Sequence, residues 1–197
     1  MKRLNNVGFT LIELLAVITI MGILLMVAVP SVSRTIENSR RDTFADNAMK
    51  YIDTIRTAVL ADEIICNATI GGTDVQVTAS GTPDGTYYFK INTLASDAAY
   101  QQTSDIMEKV AKSAWGGNDI QGYVKWTRTS SADVVDAAGN VIRPGRTTTK
   151  YYVHLADGAG HGFKEEVEES LVSRSKIFTS GATPAAAPAA GNECTLK

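Results

Sequence analysis

Glu13 is the residue whose type and position ask for chemistry. It stands in a run, residues 8–29, that is followed by Pro30. From Phe9 to Val29 there are 21 residues, and only Thr10, Glu13, Thr19 and Gly22 are not clearly apolar. A carboxylate inside a membrane-spanning helix costs on the order of 2.5–3.5 kcal/mol even on lenient insertion scales, so it marks a functional position that needs a partner. None of the 20 residues after Glu13 is basic, so a cationic partner has to come from outside this helix or from another chain.

The other reactive side chains are sparse. Cys66 and Cys194 are the two cysteines, and an even pair in an exported chain suggests a disulfide, with two unpaired thiols as the alternative. A bond between them would tie the tail back to the top of the N-terminal helix. His154 and His161 are the two histidines, and no triad surrounds either. The loop Asp157–Gly162 lacks the repeated carboxylates of a calcium loop and the Gly-Lys-Ser/Thr ending of a phosphate loop, so it reads as a flexible turn. Asn67-Ala68-Thr69 matches the glycosylation sequon, a three-residue pattern that also arises by chance. No catalytic residue, metal site or cofactor is indicated. The formal charge is −2, and it becomes −4 without Lys2 and Arg3, so there is no global drive toward nucleic acid.

The elements that must position these residues follow from periodicity. At about 1.5 Å per residue the run from Phe9 to Val29 is long enough, as a helix, to cross the roughly 30 Å bilayer core. Lys2 and Arg3 precede it and hold the N-terminus in the cytoplasm, which puts the rest of the chain outside. After Pro30 the pattern turns amphipathic. Val32, Ile36, Phe44, Ala48, Ile52, Ile55 and Val59 form an apolar stripe, with Arg34, Glu37, Arg40, Arg41, Asp42, Asp46, Lys50, Asp53 and Arg56 between them. One helix is expected from about Phe9 to about Ala61, bent near Pro30, where a backbone hydrogen bond is lost.

The remaining residues suffice for one small domain. Residues 74–79 alternate as a strand, residues 86–91 are rich in β-formers, and residues 81–85 between them have turn composition. Residues 103–114 read as a short helix. Residues 122–129 and 147–155 read as strands, and residues 133–136 and 140–142 flank a hairpin tip at 137–139. Residues 164–176 read as a second short helix, because Val167, Leu171 and Arg174 share a face and the glutamates come first. The small, Pro-punctuated stretch 179–192 reads as a linker-like tail. The expectation is an α+β fold: a long N-terminal helix packed in its outer half by an antiparallel sheet of three to five strands.

Gly8-Phe9-Thr10-Leu11-Ile12-Glu13, with its short basic leader and long apolar helix, resembles the processing signature of type IV prepilins and their pseudopilin relatives. The resemblance implies that a prepilin peptidase cuts between Gly8 and Phe9 and methylates the new amine on Phe9. It makes Glu13 the acidic residue whose carboxylate pairs with the Phe9 amine of a neighbouring subunit. Gly22 and Pro30 match the family's helix-weakening positions. The Cys66–Cys194 pair is much wider apart than the disulfide-bounded loop of many pilins, so the likeness there is loose. The implied organisation is a cleaved leader, 1–8; an apolar membrane or filament-core half of the helix, 9–32; an amphipathic half, 33–65; and a head with its Ala/Pro-rich tail, 66–197.

The function implied is structural and not enzymatic: a type IV pilus subunit stored in the cell membrane and then polymerised with copies of itself, by the pilus assembly machinery, into an extracellular filament. A pseudopilin of a type II secretion or competence system shares the whole motif and is the alternative. An exported enzyme or binding protein on an uncleaved signal anchor is the reading of a different class, and it leaves Glu13 without a purpose.

Overall fold

The computed structural model describes residues 10–92, 113–116, 120–184 and 192–196. Two compact units divide the chain, Met1–Ser39 and Arg40–Lys197. The first helix, α1, runs Leu11–Leu60 and continues through Pro30. The expected helix 103–114 falls almost wholly outside the described residues.

In the first unit every residue from Thr10 to Ile36 is exposed, including Leu11, Ile12, Leu24 and Met26. The sequence stripe therefore overreaches at its start, because Val32 and Ile36 are exposed. Those two residues continue the apolar surface of the preceding turns.

In the second unit the stripe behaves as periodicity predicts. Phe44, Ala45, Ala48, Tyr51, Ile52, Ile55 and Ala58 of α1 are buried, at steps of three and four. They join one core with Tyr87, Phe89, Val124, Trp126, Val153 and Leu155 of the strands. Phe44 meets Phe163 edge-on with ring centres 5.9 Å apart. Arg56 lies 5.1 Å over the Tyr151 ring, and its guanidinium also pairs with Glu169.

The helix ends on a Schellman motif. Glu63 N–H donates to Ala58 O at 2.9 Å and Asp62 N–H to Val59 O at 3.3 Å. Asp62 takes the left-handed conformation, φ 58°, usually left to glycine. Its carboxylate repays this locally, accepting Ser80 N–H at 2.7 Å and the Ser80 hydroxyl at 3.2 Å.

The strands are β1 Ile64–Ile70, β2 Thr73–Thr78, β3 Gly85–Asn92, β4 Ile120–Ser130, β5 Val134–Val135, β6 Val141–Arg143, β7 Thr147–Asp157, β8 Val167–Glu168 and β9 Cys194–Leu196. They form two larger antiparallel sheets, ordered β2-β1-β9 and β3-β4-β7-β8, and a two-stranded ribbon β5-β6. A single sheet was expected. The expected strands 74–79 and 86–91 exist but are not partners: β2 turns back on β1, and β3 pairs with β4. β4 and β7 are in register over eleven residues each, from Ile120↔Asp157 to Ser130↔Thr147. Gly122 opposes Leu155 at φ 138°, and a side chain there would run into the His154 carbonyl.

The expected helix over 164–176 is absent. In its place stand β8, whose Val167 pairs with Val153, and 3-10 turns at Glu169–Leu171 and Arg174–Lys176. Each glutamate is drawn to a different cation: Glu165 to Lys176, Glu166 to Lys125, Glu168 to Lys150 and Glu169 to Arg56. Leu171, which the helical pattern places beside Val167, is exposed.

Candidate functional site

The candidate site is the first turn of α1. A helix begins with four backbone N–H groups that lack an intrahelical acceptor. Here Thr10 and Glu13 form a capping box. Glu13 Oε2 accepts Thr10 N–H at 2.9 Å and the Thr10 hydroxyl at 2.8 Å, and Glu13 N–H donates to Thr10 Oγ1 at 3.3 Å. Both residues are exposed and open to an approaching group. Sequence reasoning passed over Thr10, although the Thr-x-x-Glu spacing ahead of an apolar run is a readable signal.

The rest of the run suits an apolar medium. Thr19 turns its hydroxyl onto Leu15 O at 3.1 Å and Ala16 O at 2.8 Å, so its proton is spent on the helix. Gly22 has open space where a side chain would project. Pro30 lies within α1. Among the described residues one helix, α1, is long and apolar enough to cross a membrane. Gly8 and Phe9, the expected cleavage and methylation positions, lie outside the described residues.

The head holds two further arrangements. Cys66 and Cys194 are joined in a disulfide across 128 residues of sequence, and both are buried. It links β9 to β1 rather than to the end of α1, because Cys66 belongs to a strand that begins at Ile64.

The second arrangement surrounds Asp157. Its carboxylate accepts Ala159 N–H at 2.9 Å and His161 N–H at 2.8 Å on Oδ1. On Oδ2 it meets the Ser113 hydroxyl at 2.6 Å and His161 Nδ1 at 2.7 Å. Burial pushes the carboxyl up, but the hydrogen bonds from Ser113 and from the His161 backbone and ring prevail and hold it below the usual range. The loop expected to be flexible is thus pinned from within. A serine, a histidine and an aspartate meet here, yet the serine proton is donated to the aspartate and not to the imidazole. A nucleophile needs the reverse order. Trp115 stacks on His161 with ring centres 4.4 Å apart and covers the imidazole face. No local sequence signal joins Ser113 to Asp157, since the pair is 44 residues apart.

His154 is separate. It lies beside Tyr123, with ring centres 5.8 Å apart, and burial lowers its pKa. Among the described residues no group of three or more His, Cys, Asp or Glu side chains is arranged to hold a metal ion.

The family described as the prokaryotic N-terminal methylation motif matches residues 5–29. Prepilin peptidase-dependent protein A of Clostridium perfringens (strain 13 / Type A) is 31% identical over 107 residues, which cover 53% of this chain and 76% of that protein. No solved structure matches the chain at a significant level. The matched motif contains the turn that Thr10 and Glu13 close, and the chain belongs to the family of prepilin-type proteins that carry it.

Proposed function

We propose that this chain is the structural subunit of a type IV pilus filament. The observation that carries the reading is the exposed apolar helix with one carboxylate in its first turn. Such a surface needs a cover. A bilayer covers it in the monomer, and the helices of neighbouring copies cover it in a filament, so assembly exchanges one apolar surrounding for another. A prepilin peptidase cuts between Gly8 and Phe9, removes Lys2 and Arg3 with the leader, and methylates the Phe9 amine.

Glu13 gives the exchange its direction. Among the described residues its carboxylate has the neutral donors of Thr10. In the filament the Phe9 ammonium of the next subunit supplies the opposite charge, and a charge-assisted bond is about twice as strong as a neutral one. The contact joins different patches on successive subunits and does not close, which builds a helical filament rather than a ring. The prepilin-type family is one of structural proteins, and the resemblance implies no enzymatic role.

Electron microscopy of sheared surface material, with mass spectrometry of its subunit, tests the proposal. The expected result is thin filaments whose subunit begins at N-methyl-Phe9. Absence of surface filaments, with processed chain retained in the envelope, would overturn it in favour of a pseudopilin.

A further inference from the structure

The last strand closes a gap between the two larger sheets. β9 pairs antiparallel with β1 through Ile64↔Leu196, Ile65↔Thr195 and Cys66↔Cys194. Just ahead of it Glu193 forms a parallel bridge with Tyr88 of β3. Tyr88 N–H donates to Asn192 O and Asn67 N–H to Glu193 O, each at 2.9 Å. Lys90 of β3 reaches the Glu193 carboxylate at 2.6 Å. Residues 192–196 therefore run between one side of β1 and the free side of β3. Among the described residues no other strand pairs with either side, so without them both are bare strand edges, which readily take up another strand.

We propose that this seam is a strand-binding site whose occupant can be exchanged between copies of the chain. When a small thiol such as reduced glutathione has given two electrons and two protons to the Cys66–Cys194 bond and left as its own disulfide, residues 192–196 of a second copy take the same place. Reoxidation then joins Cys66 of one copy to Cys194 of the other. In that step two thiols give two protons and two electrons to a small disulfide oxidant such as oxidised glutathione, which leaves as two thiols.

The fit of the occupant is assured because it is the same strand. A second copy offers the same Glu193 to Lys90, the same carbonyls to Tyr88 and Asn67, and the same cysteine to a fully buried Cys66. Departure of the resident strand breaks three ladder pairs and the bridge to Tyr88. The long β4–β7 ladder is formed without it, and among the described side chains of residues 192–196 Cys194 is the one that joins the core on the buried face of α1. With the disulfide open, mass action sets the balance between own and foreign strand, so crowding of copies favours exchange. The inference goes beyond the filament reading and does not depend on it.

The test uses the whole chain in detergent, prepared once with ordinary nitrogen and once with heavy nitrogen. The two are mixed, reduced, reoxidised together with oxidised glutathione and digested without reductant. Exchange predicts hybrid light–heavy Cys66–Cys194 peptides, rising with protein concentration toward half of the total, the limit of random pairing. Only pure light and pure heavy peptides at every concentration would overturn the proposal. Hydrogen exchange of the reduced protein is the second readout. Asn67 and Tyr88 amides should exchange faster by roughly tenfold or more while β4 and β7 stay protected. Loss of β4 and β7 protection together with β1 would overturn it, because the seam would then not open on its own.

Discussion

Thr10 and Glu13 hold each other at the start of α1. Glu13 accepts two hydrogen bonds from Thr10 and returns one from its own amide. Among the described residues the carboxylate thus has neutral company and no charge partner. On the proposed reading the box offsets part of the cost of inserting this carboxylate in a membrane and leaves its charge for another subunit to answer.

The processing step makes the first prediction. A peptidase that cuts after Gly8 has to approach the backbone closely there, which a glycine permits. Gly8→Ala should be processed better than Gly8→Phe. Intact-mass analysis reads the result, and a chain that keeps residues 1–8, or that starts near Ser31, would contradict the assignment.

Asp62 makes the second. Asp62→Ala keeps a side chain in the left-handed conformation, which costs about 1–2 kcal/mol, and removes the acceptor of Ser80 N–H. Asp62→Gly loses the acceptor but relieves the conformation. The alanine variant should therefore be the less stable of the two, by about 1 kcal/mol, in urea denaturation of the full chain. Equal stability would mean that φ 58° costs nothing here.

How far the sequence could be read divides along one line. Local patterns were legible: the 3.6-residue stripe of Phe44, Ala48, Ile52 and Ile55, the β-branched run of β7, and the tip between β5 and β6. The motif matched at residues 5–29 is legible for the same reason, since its spacing from a long apolar run is itself local. What failed was decided across the chain. Residues 164–176 have helical spacing, but Lys125, Lys150 and Arg56 each take a glutamate from outside the segment, and Val167 prefers Val153. β1 was missed because Cys66 and Asn67 drew the reading toward a disulfide and a sequon and away from the alternating burial of Ile64, Cys66 and Ala68. The partner of Asp157 could not be seen, since Ser113 approaches from a distant part of the chain.

The Asp157 cluster predicts an acid limit. Its carboxyl sits below the ordinary value of 3.8, so the unfolded chain takes up a proton there at higher pH than the folded one. The stability it provides is complete above 3.8 and falls as pH drops through the lower folded value. Asp157→Asn puts an amide donor against Ser113 and His161, and it should cost about 1–3 kcal/mol at neutral pH. It should also flatten the loss of stability below the ordinary carboxyl range. Denaturation curves collected from neutral pH into that range check both, and an unchanged acid slope would show that other carboxylates set it.

The measurement closest to the central claim compares filament with processed monomer for two variants of Glu13. Glu13→Gln keeps an acceptor for the Thr10 box but loses the charge, and Glu13→Leu loses both. Truncating one member of a buried charge pair costs about 2–5 kcal/mol, so each variant should lower sheared filament at least tenfold. Both should accumulate in the membrane as chain starting at Phe9, because the cut site is untouched. Mixing with wild-type subunits should restore filaments in part. Abundant filaments built from Glu13→Gln or Glu13→Leu subunits alone would contradict assembly through this carboxylate.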